Sequence, residues 1–469
     1  MLKKNDEREG TVVSLGMDGE GVLYVDGTTL FVPFVLPYEK IRYHVLKVSN
    51  NCAFGKVIDI IEKSPDRVGV NCPVFCKCGG CQLQHLKYKK QLEVKENKVK
   101  NCFNKVAGID VDILPAVSSE NEFRYRNKLQ LPVCETDKGT VIGFYAENSH
   151  RIIPIKDCII NPEWTKDIID VFTEFFKVVN ITGYNEQTFS GDVREITVKE
   201  VSNHLIITIV ILKNCLPQVK LLIDMLKEKL KLNFSLFLNV NTRKSNVIYG
   251  DEFILAYGEP NIKSEMLGIK YTTGVQSFMQ VNTDVCKKLY SKVSDIIKEY
   301  KNATIIDAYS GAGVMTAILA RNAKKAIGIE IVKEASDMAN IVAKDNNLQK
   351  KITNYCGKCE DWLPRIVKKE REEGNEIIVV LDPPRKGCDI KVISSLIENK
   401  IDKIMYISCK PSTLARDIGL LVGTLSADIK GITKTNTTNP QYNIELVQPF
   451  DMFAQTKHVE TLVVLSRVI

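Results

Sequence analysis

The chain has 469 residues, enough for two or three domains with a substantial core, and an ordinary globular composition of 44% hydrophobic and 26% charged residues. Its formal net charge of +7 is a mild basic surplus, compatible with an RNA or DNA partner and shared by many cytosolic enzymes. No apolar run reaches the roughly eighteen residues of a membrane span and Met1 to Glu9 lack an apolar core, so the sequence predicts a cytoplasmic protein without secretory leader or membrane anchor.

Residues 10–61 read as short strands, at Thr11–Val13, Gly21–Val25, Thr29–Pro33 and Tyr43–Val48, separated by Gly, Asp and Pro turns. That spacing predicts a small β-barrel of OB-like type, a fold that often binds RNA. Next comes a cysteine loop, Cys72-Pro-Val-Phe-Cys76-Lys-Cys78-Gly-Gly-Cys81. The chain holds fourteen cysteines, which in a cytosolic protein points to metal-bound or catalytic sulfur rather than disulfides. Zinc favours two CxxC or Cys/His pairs, and here the second pair is missing, with His85 the only histidine nearby. An iron–sulfur cluster takes four thiolates, one of them often remote. Cys72, Cys78 and Cys81 make the better triple, because position 79 is glycine, and Cys158 is the candidate remote partner.

Residues 84–106 predict a basic helix, with Lys87, Lys89, Lys90, Lys95, Lys98 and Lys100, that lies in solvent or along an RNA backbone. From 115 to 270 the pattern becomes α+β, with strands at Glu195–Val201, Leu205–Ile211 and Leu236–Val240 and a helix at Val219–Lys231. Phe123 to Lys128 mix aromatic and basic residues, as an RNA-contacting strand start does.

The last 200 residues alternate helix and strand, predicting a doubly wound sheet. Thr304–Ile306 is a buried strand, Asp307-Ala-Tyr309-Ser-Gly311-Ala-Gly313 a tight turn, and Val314 opens a helix. Such a unit brings backbone N–H groups to a ligand at the carboxyl edge of the sheet. Glu330 ends the next strand about twenty residues on, where an acid can accept both ribose hydroxyls of an adenosine. Asp382 ends another, before two prolines and Arg385. With no basic phosphate loop, adenosine with a cationic tail suits these acids better than a polyphosphate, which points to S-adenosylmethionine.

Cys409 ends the strand Lys403–Cys409, and Pro411 opens a helix whose N-terminus is expected to lower the thiol pKa. A thiolate beside a methyl donor suggests addition to C6 of a uracil, which makes C5 nucleophilic. A base must then take the C5 proton, and Glu460 is the candidate, with His458 the lesser one.

Taken together, these motifs resemble the RNA 5-methyluridine (uracil-C5) methyltransferase family, in its iron–sulfur, TRAM-containing branch acting on 23S ribosomal RNA. The likeness spans nearly the whole chain. It rests on the cluster-like motif from Cys72 to His85, Ser277-Phe-Met-Gln280-Val-Asn282, the Gly turn, Ser408-Cys409-Lys-Pro and His458-Val-Glu460. It implies a TRAM barrel over 1–62, a central α+β domain with an iron–sulfur loop over 63–268, and a Rossmann-like methyltransferase domain over 269–469. It further implies a 4Fe-4S cluster on Cys72, Cys78, Cys81 and Cys158, and donor contacts from Gln280, Tyr309, Glu330 and Asp382. The partner would be RNA and the protein a monomer, with the helix near 85–115 packing on the catalytic domain. Three departures stand out: Cys76 is an extra cysteine, Val314 stands where some members place a donor-contacting asparagine, and Ala454-Gln455 replaces the more usual Pro-His before the base motif. Transfer RNA as target, an amino-group methyltransferase using Asp382-Pro-Pro-Arg385, and a non-catalytic iron–sulfur RNA-binding protein are the competing readings.

Overall fold

Over Lys40–Val45 side chains alternate, Ile41, Tyr43 and Val45 buried, Arg42 exposed and His44 half-buried, as in a strand with one wet face. The computed structural model, which describes residues 2–137, 139–428, 431–435 and 440–468, places it in a six-stranded N-terminal sheet. Three register shifts against Cys52–Glu62 bend this sheet around a core of Leu23, Leu30, Val32 and Tyr43. The expected strand Thr11–Val13 is instead a break between Glu7–Thr11 and Ser14–Leu15, where Val12 turns inward to bond the Glu39 carbonyl.

A central seven-stranded sheet follows, with Val193–Val201, His204–Ile211 and Asn233–Val240 in its middle. Leu205–Ile211 is buried on both faces, which explains its uninterrupted apolar run. The helix Trp164–Val179 covers one face through Ile168, Phe172, Phe175 and Phe176, spaced as one helical stripe.

The third sheet has seven strands in the order Ile352–Cys356, Lys325–Glu330, Thr304–Ala308, Ile377–Leu381, Lys403–Ser408, Glu460–Arg467, Tyr442–Phe450. The first five run parallel with helices on both faces. Glu460–Arg467 is antiparallel to Lys403–Ser408, so its first residue lies at the edge where the parallel strands end.

The basic helix runs over Tyr88–Cys102 and continues as a wider π-helical turn over Phe103–Ala107. Two of its lysines, Lys95 and Lys98, turn inward, while Lys87 and Lys89 stay exposed. Val99, Cys102, Phe103 and Ala107 join the core of the third sheet, although the chain reaches the central sheet next. Lys95 is fully buried in an ion pair with Asp451, which also accepts from the Tyr88 hydroxyl at 2.8 Å. Lys98 donates to the Lys457 carbonyl at 2.9 Å. The stretch Phe123–Lys128 is also turned inward: Arg124 pairs with Asp157 at 2.7 Å and the Tyr125 hydroxyl donates to the Ala454 carbonyl.

A buried pair stripped of one partner leaves an uncompensated charge. Lys95→Met should therefore cost about 3–5 kcal/mol in denaturant unfolding of the catalytic domain, with much of the loss recovered in Lys95→Met/Asp451→Asn. Equal stability of Lys95→Met and the parent would contradict this.

Candidate functional site

The carboxyl edge of the third sheet gathers most of the candidate residues. Ala308 pairs with Ile329 and with Leu381, so Tyr309, Glu330 and Asp382 emerge side by side at the next positions. The turn between strand and helix depends on left-handed backbone at Tyr309, Gly311 and Gly313 (φ 71°, 55° and 76°). At Gly313 a Cβ would stand 2.7 Å from that of Ala339, so only glycine lets the two helices approach. At Gly311 an added Cβ meets nothing within 4 Å, so the space beside the turn is open. Glu330 is held ready by two backbone amides, Gly311 N–H at 2.9 Å and Val332 N–H at 2.8 Å. Tyr309 packs against the apolar core of the third sheet, with the Cys388 and Cys359 thiols near its hydroxyl.

Gln280 lies outside this group, on the half-buried segment that leads into the helix Thr283–Ile297. Asn127 fixes that segment by donating to the Gln280 carbonyl at 3.1 Å, and Lys199 donates to the carbonyls of Val275 and Ser277. Beside it Phe278 is 81% exposed, the most exposed of the large apolar side chains.

Ser408 pairs with Thr461, and the same register carried one residue further sets Cys409 opposite Glu460. The helix Pro411–Val422 starts beside the thiol with proline in its first turn. The thiol is nevertheless held above its ordinary value, first by burial and next by the Glu460 charge, while Arg385, within hydrogen-bonding reach, opposes them. The thiol pKa is raised in this ligand-free site rather than lowered, because burial outweighs the helix terminus and the Glu460 charge adds to it. Sequence reasoning passed over Arg385, although a cation three residues beyond a strand-end acid was a signal. Thr413 steadies its loop, donating to the Arg385 carbonyl at 3.1 Å.

The edge is rich in buried acid. Burial, then the charges of Asp382 and Glu330, push the Asp307 carboxyl up to about 7 against a 2.5 Å hydrogen bond from Thr316. Burial pushes Asp382 up to about 7 as well. Glu460 is raised well above the usual carboxylate range by burial and then by Asp382, with Arg385 opposing. His458 is pushed down to about 4, chiefly by burial and then by Arg385, so its neutral imidazole is a weaker base than a released Glu460 carboxylate.

Far along the chain, the cysteine loop faces the segment that carries Cys158. Burial raises the Cys81 thiol to about 12 against the opposing influence of Gln84, and the thiol also feels Cys158, Cys78 and Cys72. Cys76, exposed and at φ 67°, feels only Cys72 among the cysteines. Gly80 N–H donates to the Cys78 sulfur at 3.3 Å, and a Cβ at Gly79 would press within 3.0 Å of Glu147 Cα. Among the described residues no three His, Cys, Asp or Glu side chains close on a single metal-ion position.

The buried acids set a pH dependence. A carboxyl whose folded pKa is raised contributes stability that is fully present below its unfolded value and is lost as pH rises through the folded one. Relative to Asp307→Asn, the ligand-free protein should therefore lose on the order of 2 kcal/mol of stability between about pH 4 and pH 7. Parallel pH profiles of the two proteins would contradict this.

The comparisons with known proteins agree with this geometry. The family model described as tRNA (Uracil-5-)-methyltransferase matches residues 87–468. A protein of Clostridium acetobutylicum, named an uncharacterized RNA methyltransferase, is 38% identical across all of this chain and 98% of its own length. One of Halalkalibacterium halodurans with the same description is 36% identical across 99% of this chain and 98% of its own. The crystal structure of Pyrococcus abyssi tRNA (uracil-54, C5)-methyltransferase with S-adenosyl-L-homocysteine shares the fold, with a TM-score of 0.73 and 24% identity over 98% of this chain and 100% of that one. The chain belongs to the RNA (uracil-5-)-methyltransferase family.

Proposed function

We propose that this protein is an S-adenosylmethionine-dependent enzyme that methylates C5 of a uridine in 23S ribosomal RNA. The observation that carries the reading is the facing pair of thiol and carboxyl, Cys409 and Glu460, at one sheet edge beside Arg385. Gln280, Tyr309, Glu330 and Asp382 are the proposed donor contacts. The open space beside Gly311 and the buried acids of this sheet edge suit an adenosine with a cationic tail.

The donor supplies an electrophilic methyl on a sulfonium. A cation seated among Asp307, Asp382 and Glu460 offsets the carboxylate charge that holds the Cys409 thiol up. Arg385 stabilises the thiolate, which bonds C6 of a uracil taken out of its stack and makes C5 an enolate carbon. After C5 carries the methyl, the Glu460 carboxylate removes the C5 proton, the C5–C6 double bond re-forms and the C6–sulfur bond breaks, freeing the thiolate. Exposed Phe278, beside Gln280, is the proposed stacking platform for an RNA base.

The proposed limits are an RNA-binding TRAM barrel at 1–62, a central domain at 63–268 and the methyltransferase domain at 269–469, acting as a cytoplasmic monomer. Cys72, Cys78, Cys81 and Cys158 are the proposed ligands of a 4Fe-4S cluster. Cys78, Cys81 and Cys158 each lie in the field of Cys72, which suits such a cluster, and its iron would favour the thiolates that burial disfavours at Cys78, Cys81 and Cys158. The cluster's role would be to fold this region and position RNA. Anaerobically prepared protein should then carry about four iron and four sulfide per chain, lost in Cys81→Ala and retained in Cys76→Ala. Iron-free protein of normal RNA affinity would count against it. Transfer RNA is the alternative target, supported by the description of the family model.

The test uses ribosomal and transfer RNA carrying 5-fluorouridine, incubated anaerobically with protein and S-adenosylmethionine. Fluorine cannot leave C5 as a cation, so the last step stalls. A denaturation-resistant adduct with ribosomal RNA, absent without donor and absent in Cys409→Ala, is the expected result. An adduct with transfer RNA alone would move the target. Methylation without any adduct would favour the amino-group chemistry of Asp382-Pro-Pro-Arg385, and RNA binding with neither would favour a non-catalytic protein.

A further inference from the structure

Gln455 is 1% exposed and sits at φ 69°, a left-handed backbone that a side-chain-bearing residue holds only when its surroundings enforce it. All four of its polar groups are engaged. Its carbonyl accepts from the backbone amides of Gln82 (3.2 Å) and Leu83 (3.0 Å), the two residues that follow Cys81. Its N–H donates to Gln91 Oε1 at 3.1 Å, and its Oε1 accepts from Gln91 Nε2 at 2.9 Å. Its Nε2 donates to Glu122 at 3.4 Å.

None of these partners belongs to the catalytic sheet. Gln82 adds a further tie, its Oε1 accepting from Lys457 N–H at 3.2 Å. The segment so held runs directly into Glu460, which opens the antiparallel strand. Left to itself, a loop at a strand start frays, and a base displaced by about an ångström loses on the order of a hundredfold in rate. Resting on the reading of Glu460 as base, we propose that Gln455 is a positioning residue for proton abstraction, clamped by Gln91 and by the backbone just beyond the cysteine loop. The cysteine loop thereby acts on the last chemical step as well as on RNA.

The test follows two labels on ribosomal and transfer RNA made with tritium at uracil C5, incubated with methyl-labelled S-adenosylmethionine. In the parent protein, methyl incorporation and tritium release keep pace. In single turnovers with protein in excess over RNA, Gln91→Met and Gln82→Leu should change the rate of methyl incorporation and the Kd for RNA less than about threefold, whereas tritium release falls about tenfold to a hundredfold. A methylated protein–RNA adduct then builds up on ordinary RNA, as it should in Glu460→Gln. If both labels slow together, if neither changes, or if both variants lose cooperative unfolding, Gln455 is only a packing element and the proposal falls. If Glu460→Gln itself releases tritium in step with methylation, the base assignment fails first, whatever the clamp variants do.

Discussion

The site depends on one reversal of direction. Five parallel strands deliver their last residues to one edge, and a sixth parallel strand would send Glu460 to the opposite end of the sheet. Because Glu460–Arg467 runs antiparallel, with Thr461 against Ser408, the start of a late strand meets the end of an earlier one. Thiol and carboxyl become neighbours through backbone hydrogen bonds between buried strands, the most rigid placement available to two side chains. Everything around that edge serves the pairing: Arg385 reaches in from a loop laced to the Pro411–Val422 helix, and the segment before Glu460 is tied to the cysteine loop, the Tyr88–Cys102 helix and Tyr125.

The same edge is electrostatically unfinished. Asp307, Asp382 and Glu460 lie in low-dielectric surroundings, with Arg385 the cation that opposes Glu460; burial first, and for Asp307 and Glu460 then neighbouring carboxylate charge, drives their carboxyls up. A site in this condition favours a positively charged ligand, because a cation recovers part of the cost of burying the acids. Glu460 and Asp382 add to the burial that raises the Cys409 thiol, so a cation bound beside them would ease its ionisation.

The sequence carries the strand-end acids openly, since Asp382 and Glu330 each close a short apolar run and such runs map onto strands by length alone. The buried central strand Leu205–Ile211 is legible for the same reason. Lys95 is not: a lysine in a basic helix reads as solvated, and only the distant Asp451 turns it inward. Arg124 and Tyr125 mislead in the same way, their partners lying at Asp157 and Ala454. The thiol pKa is missed because the helix start is local and visible, whereas the opposing Glu460 arrives through an antiparallel register that no local pattern encodes. Gln455 appears in the sequence only as a departure from a motif, and its four engaged polar groups exist only in the folded chain.

The central claim is that the thiol facing Glu460 is the atom that bonds RNA. The most direct measurement is to digest the stalled protein–RNA adduct with protease and nuclease and locate the modified nucleotide by mass spectrometry. The account predicts a methylated fluorouridine on the peptide containing Cys409. The same nucleotide on the peptide of an exposed thiol, Cys76, Cys215 or Cys356, would contradict it.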